Sequence, residues 1–338
     1  MVPWVFNKIC WGFLAVMVLM ASAAVCRAAP RPIQAPNRFP LFWMFLAPGP
    51  MPADLPGKGV LETSLAVDYS ALYFQHSSDQ WDVLIDMETV VIDLSATYAI
   101  TPRWAVGLTL PIVSTNSGFM DVFLEGFHDT FNLPNYGREE RPPNTFGFRV
   151  AKEGQLWFQG QSGQTQLADT TIFLKYQLSD FDDRQGFASL LVFGLKLPTG
   201  EPQLGFGSGA VDMGFYLPMQ WWRKRWSFFL SPGATLIGSP DTGEADFGVR
   251  NTLHLSGGVS FSSSDKWHWV LQTDYHTSPL EQTGIEELDQ GALQLTLGCR
   301  YTMSRGWVLD MGFSEDLAGA VPDFTVHMGL EWAYDLSN

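Results

Sequence analysis

The sequence has few charges, almost no cysteine and, past its first residues, no long apolar run. Only 16% of its 338 residues are Asp, Glu, Lys or Arg, against about a quarter in an ordinary soluble domain. The charge that is present leans one way, with 35 acids facing 20 bases for a net −15. Such a balance works against the electrostatic attraction that nucleic-acid binding depends on, so no nucleic-acid partner is expected. Of three cysteines, Cys10 and Cys26 fall in the N-terminal stretch and Cys299 stands alone, which excludes a disulfide framework. Beyond residue 29 no apolar run approaches the ~20 residues a membrane helix needs. If this chain meets a bilayer, it crosses with strands. What is abundant is aromatic and small: 14% Phe, Trp and Tyr, with 13 Trp and 32 Gly.

The N-terminus has its own logic. Lys8 precedes the apolar "ICWGFLAVMVLMASAAV", and small residues follow, so residues 1–29 read as a secretory signal peptide cleaved between Ala23 and Ala29. Cys26 follows Val25, which is larger than the residue a lipoprotein site takes there. Loss of residues 1–28 removes Lys8 and Arg27 and no acid, moving the balance from −15 to −17. Residues 30–58 are Pro-rich around the hydrophobic "LFWMFL"; that density of proline forbids a regular helix or a central strand. The hydrophobic hexamer needs a pocket, and the segment is expected to plug the periplasmic mouth of whatever follows.

From Val60 the hydrophobic period becomes two. Leu61, Leu65, Val67 and Tyr69 share one face while Glu62, Ser64, Asp68 and Ser70 share the other. The same alternation recurs through Phe324, Val326, Met328, Leu330, Trp332 and Tyr334. About twelve such strands are counted between 59 and 338, each near the 9–11 residues that cross an outer-membrane bilayer. Short polar turns at 99–103, 222–225, 262–266 and 302–306 alternate with longer connections, the longest being 114–168. This pattern predicts an all-β chain, a transmembrane antiparallel up-and-down β-barrel with an extracellular loop at 114–168. "TPRW", "RKRW", "SDKW" and "SRGW" repeat one pattern, and a strand leaving each turn would set Trp104, Trp226, Trp267 and Trp307 in one interfacial girdle. A propeller needs four strands per forty-residue repeat where two longer ones are read here. A sandwich would have polar outward positions, whereas the apolar face is the unbroken one.

The polar phase puts Lys175, Lys196, Asp212, Arg250, His254, His268, Asp274, His276, Arg300, Asp310, His327 and Glu331 inside. Two readings stay open: a lumen that selects or conducts a solute, or a filled interior of paired groups. His254 and Ser256 set a base beside a hydroxyl, the residue types of a lipid hydrolase, though two residues apart on a strand is a common spacing. In loop 114–168 a helix is expected from about Phe119 to Leu133, with Asp121, Glu125, His128 and Asn132 on one face. That stripe suits a divalent cation, proton transfer or a constriction. The competing reading is the wet side of a loop helix whose Phe119, Val122, Phe123 and Phe127 pack beneath it. Acids at Asp241, Glu244, Asp246, Glu281, Glu286, Glu287, Asp289, Glu315, Asp316 and Asp323 make a rim that is either solvated or a place for Ca²⁺ or Mg²⁺ beside lipopolysaccharide.

"NRFPLFWMFLAPGPMPADLP" and "FMDVFLEGFHDTFNLPNYGREERPPN" resemble a Gram-negative family of unknown function, domain-of-unknown-function family 3187, over nearly the whole chain past the signal. The resemblance implies an outer-membrane barrel and marks Asp121, Glu125, His128, Pro134, Gly137 and Arg138 as motif positions without a role. "GLKLPTGE" is similar to barrels implicated in uptake of aromatic compounds. The reading that follows is an outer-membrane channel for a small, hydrophobic or aromatic solute, with no catalytic residues and loop 114–168 folding over or into the outer mouth. Its partners would be outer-membrane lipids and lipopolysaccharide, the solute, the barrel-assembly machinery and periplasmic chaperones. A non-conducting barrel and a lipid hydrolase are the alternatives.

Overall fold

Segments with one greasy and one polar face can satisfy both faces and every strand edge by closing into a cylinder. The computed structural model describes residues 30–131, 137–138, 141–179, 186–241, 247–303 and 306–337, with backbone only at 127, 128 and 131. The signal peptide expected over 1–29 lies outside the described residues.

The strands in chain order are β1 (Val60–Ser77), β2 (Trp81–Ala99), β3 (Trp104–Asn116), β4 (Gly147–Lys152), β5 (Gln155–Gln159), β6 (Gln164–Leu167), β7 (Thr170–Gln177) and β8 (Gly186–Leu197). They continue with β9 (Asp212–Tyr216), β10 (Met219–Arg223), β11 (Trp226–Leu236), β12 (Thr252–Ser262), β13 (Trp267–His276), β14 (Ala292–Thr302), β15 (Val308–Ala318) and β16 (Phe324–Asp335). Closure comes from β1 and β16, antiparallel from Val60↔Asp335 to Ala71↔Phe324. β9 and β10 are one wall strand interrupted at Leu217–Pro218, since both pair with β8 and β11 and Pro218 has no N–H for the ladder. With β4, β5 and β6 leaving the wall, the result is a closed antiparallel barrel of twelve strands, as the alternation predicts.

The two faces sort by polarity. Leu253, Leu255, Leu271, Leu297, Phe215, Phe228 and Met328 are exposed outward, while Thr235, His254, Gln272, Thr296 and Asp310 are buried inward. Trp104, Trp226 and Trp267 are exposed at the short-turn rim, and Trp307 lies there against Trp332 with ring centroids 4.9 Å apart. No helix among the described residues is long and apolar enough to span a bilayer.

The Pro-rich segment does not stop at one mouth; it runs up the lumen and back. Proline leaves it short of N–H donors but rich in carbonyls, and buried carbonyls need partners. Wall glutamines supply them. Gln272 accepts from the Ile33 N–H at 3.0 Å and donates to the Ile33 carbonyl at 2.8 Å, and Gln294 donates to the Ala35 carbonyl at 3.1 Å. On the return, Gln177 donates to the Ala53 carbonyl and accepts the Leu55 N–H, both at 3.1 Å. Passage is close enough that a Cβ on Gly298 would lie 2.5 Å from Ile33 Cδ1, so only glycine fits that wall position.

At the long-loop end the segment forms a single helical turn, α1 (Pro40–Trp43). Here "LFWMFL" finds its pocket, at the opposite end from the periplasmic mouth where it was expected. Phe39, Leu41, Phe42, Met44 and Phe45 share one apolar core with Leu72, Phe74, Trp81, Val83, Ile85, Phe148, Trp157, Phe158, Phe247, Leu280 and Leu288. The β1–β2 hairpin is longer than the alternation indicates, continuing to Ser77↔Asp82, and β4 and β5 extend its sheet. These strands carry half of that core.

The long loop therefore divides. Its second half supplies β4, β5 and β6, and Phe148, Trp157 and Phe158 close over the long-loop mouth. Its first half, with α2 (Asp121–Phe131), lies on the outside of the wall, since Leu124 packs on Ala71 and Phe324 beside Tyr69, all in the outward phase of β1 and β16. The expectation that Phe119, Val122 and Phe123 pack beneath this helix is overturned, because they are 69%, 64% and 61% exposed. An amphipathic helix buries its greasy stripe only when water lies on the other side; against an apolar wall that rule has no sign.

Candidate functional site in the barrel lumen

Between the threaded segment and the wall of β1, β2, β3 and β7 lies a cavity of about 190 Å³. Apolar groups (Trp43, Phe45, Leu46, Phe173) and charged ones (Arg38, Glu62, Asp93, Lys175, Lys196, Glu331) both line it. The charges are arranged in three tiers, each tying the segment to the barrel or bracing the wall.

Nearest the short-turn end, Arg31 binds Asp54 at 2.6 Å and Glu62 at 2.9 Å, closing the segment onto itself and onto β1. Arg300 reaches Asp310 at 2.9 Å and Glu331 at 2.5 Å across β14, β15 and β16. In the middle tier Arg38 Nε donates to Asp68 at 2.6 Å and its NH2 group to Asp93 at 2.6 Å, while His327 Nδ1 lies 2.5 Å from the other Asp68 oxygen. In the upper tier Lys196 donates to Asp169 at 2.5 Å, to Ser208 at 2.6 Å and to the Met44 carbonyl at 2.8 Å, with Asp212 at 3.3 Å. Asp212 in turn accepts the Leu46 N–H at 2.9 Å. A charge this deep is tolerated only with such partners. Lys175 projects into the cavity and donates from its ammonium to Thr97 at 3.1 Å.

Most inward positions read from the sequence meet around this interior. Lys175, Lys196, Asp212, Asp310, His327 and Glu331 belong to the tiers or cavity, and Arg300 braces the wall. His254 and His276 are buried higher up, where Asn37 lies 3.1 Å from His276 Nε2 and Phe42 packs edge-on against the His276 ring. His268 is buried near the short turns beside Ser262, at 2.8 Å. Arg250 is the exception: it precedes β12, is exposed, and bonds the Ser278 and Asp289 carbonyls on the long-loop rim. The inward phase of β12 does not reach back to Arg250, because the strand begins only at Thr252. Arg31 and Arg38 were missed because their segment has no periodicity. The available signal was polar wall residues, Gln272, Gln294 and Gln177, facing a lumen that must satisfy them.

His254 and Ser256 do not form a pair. His254 Nε2 sits 2.9 Å from Thr252 and 3.1 Å from Thr235, while Ser256 donates to Asp274 at 2.6 Å. Successive inward residues on a strand stand side by side, and each has turned to a different neighbour.

The loop residues meet differently from the predicted stripe. Asp121 is buried, bound by Arg138 and by the Asn144 N–H at 2.5 Å, and Arg138 also binds Asp323. Glu125 is half-buried and takes no part; the His128 side chain and Asn132 lie outside the described residues. Asp323 sits in the β15–β16 connection, where burial pushes its carboxyl up to about 6 in spite of Arg138 and the Tyr73 N–H. Among the described residues no group of three or more His, Cys, Asp or Glu side chains is placed to hold a metal; Glu244 and Asp246 of the expected acidic rim lie outside the described residues. Asp289, one of those acids, instead binds Thr283 and the Gly284 N–H of its own loop.

The chain belongs to the family described as protein of unknown function (DUF3187), whose model matches residues 10–334. No curated protein matches it. Among solved structures it is similar in fold to the COG4313 outer membrane channel from Pseudomonas putida F1, at 11% identity and TM-score 0.55, over 83% of this chain and 98% of that one. It is more distantly similar to the NanC porin (10% identity, TM-score 0.44, 80% and 98%) and the KdgM porin (10%, 0.40, 79% and 98%). The first of these likenesses agrees with the fold already described, a closed antiparallel transmembrane β-barrel of twelve strands.

Proposed function

We propose that this barrel resides in the outer membrane of a Gram-negative bacterium and passes a small solute down its gradient, with residues 30–58 as an internal plug. The observation that carries this reading is the cavity of about 190 Å³ beside the plug, lined by rings and by charges together. A purely structural interior would be expected to fill to near-crystalline density. Trp43, Phe45 and Phe173 suit a flat apolar body and Lys175 and Arg38 suit a polar or anionic end, so an aromatic acid or phenol is the ligand class to test first. The similarity of fold to an outer membrane channel supports the same reading. The barrel's partners are then outer-membrane lipids, lipopolysaccharide and the solute, with the barrel-assembly machinery and periplasmic chaperones acting on its way to the membrane.

A second reading has its own observation: the outer end is closed by an apolar core, which favours a non-conducting barrel. Planar-bilayer conductance and uptake of benzoate or phenol into vesicles, with and without residues 30–58, separate the two. Uptake by the intact chain that rises on deletion supports transport; no current and no uptake from either form supports the closed barrel. The hydrolase alternative has no support in the geometry of His254 and Ser256.

A further inference from the structure

The outer surface of the barrel carries something a plain transmembrane wall does not. Four carboxylates lie on the outward side near the long-loop end: Asp86 and Glu88 on β2, Asp121 on α2 and Asp323 before β16. Each is buried, and the cover is the loop itself. Glu88 accepts the Phe119 N–H at 2.7 Å and the Met120 N–H at 2.5 Å, and Asp86 takes Thr145 at 2.6 Å and Arg141 at 2.8 Å. Arg138 ties Asp121 to Asp323. A carboxylate facing hydrocarbon is costly, so a loop that screens these groups from the lipid side has a physical reason to lie there.

This docking fixes which way α2 points. Leu124 and Met120 face the wall, Val122 and Phe123 are turned away from it, and Phe119, just before the helix, has its ring beside Tyr69; Phe119, Val122 and Phe123 are each more than three-fifths exposed. The exposed face continues the outward apolar band through a ladder of rings. Phe313 stacks on Phe324 at 6.2 Å, Phe324 meets Tyr69 at 6.3 Å, and Tyr69 meets Phe119 at 6.0 Å. Further along the helix the exposed residues become polar, at Asp129 and Thr130.

We infer that the first half of α2, with Phe119 just before it, is a membrane-contact element whose Phe119 and Val122 side chains lie among the acyl chains of the outer leaflet, with Asp129 and Thr130 at the headgroup level. The helix thereby enlarges the lipid-contacting girth of the barrel on the β16–β1–β2 side. It is held at the depth at which an interfacial amphipathic helix rests, roughly 5–10 Å into the headgroup–acyl boundary. Continuity with the lipid-facing wall selects lipid over a second copy of this chain or a soluble partner.

The test uses the full chain in phosphatidylcholine vesicles, with Cys10→Ser, Cys26→Ser and Cys299→Ser removing the native thiols and a bimane label placed through Val122→Cys, Phe119→Cys, Thr130→Cys or Met328→Cys. Doxyl groups near the top of the lipid acyl chain, or iodide in the buffer, act as quenchers. The inference expects labels at 122 and 119 to be quenched by doxyl lipid to about the extent seen at 328, a wall position, and the label at 130 to be quenched by iodide. Labels at 122 and 119 that iodide quenches and doxyl lipid does not would overturn it. Labels at both positions shielded from either quencher, with Val122→Cys chains cross-linking to each other, would overturn it in favour of a second copy. Loss of lipid quenching at 328 as well would sink the transmembrane reading itself, a separate failure.

Discussion

Arg38, on the chain threaded through the lumen, donates from Nε to Asp68 of β1 at 2.6 Å, in a buried pair. Asp68 also takes His327 of β16, so the latch lies across the seam where the barrel closes. Removing one partner of such a pair leaves a buried charge uncompensated, at about 3–5 kcal/mol. Arg38→Ala should therefore loosen residues 30–58 without opening the wall. Hydrogen exchange at Ile33 and Ala35 should rise and bilayer currents should become larger and noisier. Unchanged exchange and current would show that the glutamine contacts alone hold the segment.

Leu271 and Gln272 are neighbours on β13 that face opposite environments, the first exposed outward and the second buried against Ile33. Leu271→Arg places a charge on the lipid face near mid-strand, which costs about 2–4 kcal/mol. Gln272→Ala leaves the Ile33 N–H without its partner and the Ile33 carbonyl with the Ala35 N–H alone, at a cost of about 1–3 kcal/mol. Urea unfolding in vesicles should rank Leu271→Arg as the more damaging. Exchange at Ile33 should respond chiefly to Gln272→Ala. The opposite ranking would mean that the strand is read with the wrong face out.

Asp323 offers a pH test at the long-loop rim. Its carboxyl titrates near 6, above the ordinary value of about 3.9, because burial disfavours the anion more than Arg138 favours it. A raised carboxyl binds its proton more tightly in the folded form. Its effect therefore stabilises the docked loop as pH falls from about 6 toward 4 and is lost as pH rises through 6. Protection of the α2 amides, corrected for intrinsic exchange, should fall between pH 5 and pH 7. Asp323→Asn should flatten that dependence. A wild-type profile that rises over the same interval would assign the control to the ion pair with Arg138 instead.

Trp43 stands between the cavity and the apolar cap, with its indole N–H donated to the Gly205 carbonyl at 2.9 Å and its ring against Phe148. Trp43→Ala should join the cavity to space beneath the cap and raise vesicle uptake of aromatic solutes. The accompanying loss of stability should be about 3 kcal/mol, at the low end for a truncated tryptophan because the ring is only half-buried. Uptake that stays flat while stability falls would favour the closed structural barrel.

The wall was legible because alternation is a local property: each strand states which of its faces is greasy, and a closed sheet needs no further instruction. That reasoning reached Lys196, Asp212, His276, Asp310 and His327, all of which lie inside, and failed at Arg250, which lies just before β12 begins. It also failed for α2. A greasy helix stripe points away from water, and the sequence cannot say whether water, a core or lipid lies on its other side.

Composition and period alone thus determined a strand-built transmembrane wall, its approximate strand count, its inward polar set and its tryptophan rim. Only the tertiary structure decided that the Pro-rich segment climbs the lumen to an apolar cap, that Arg31 and Arg38 complete the interior, and that half of the long loop lies outside the barrel. The reason is that these three depend on pairings between residues far apart in the chain, Gln272 with Ile33, Asp68 with Arg38 and Asp323 with Arg138. Neither partner of such a pair carries a periodic signal of the other.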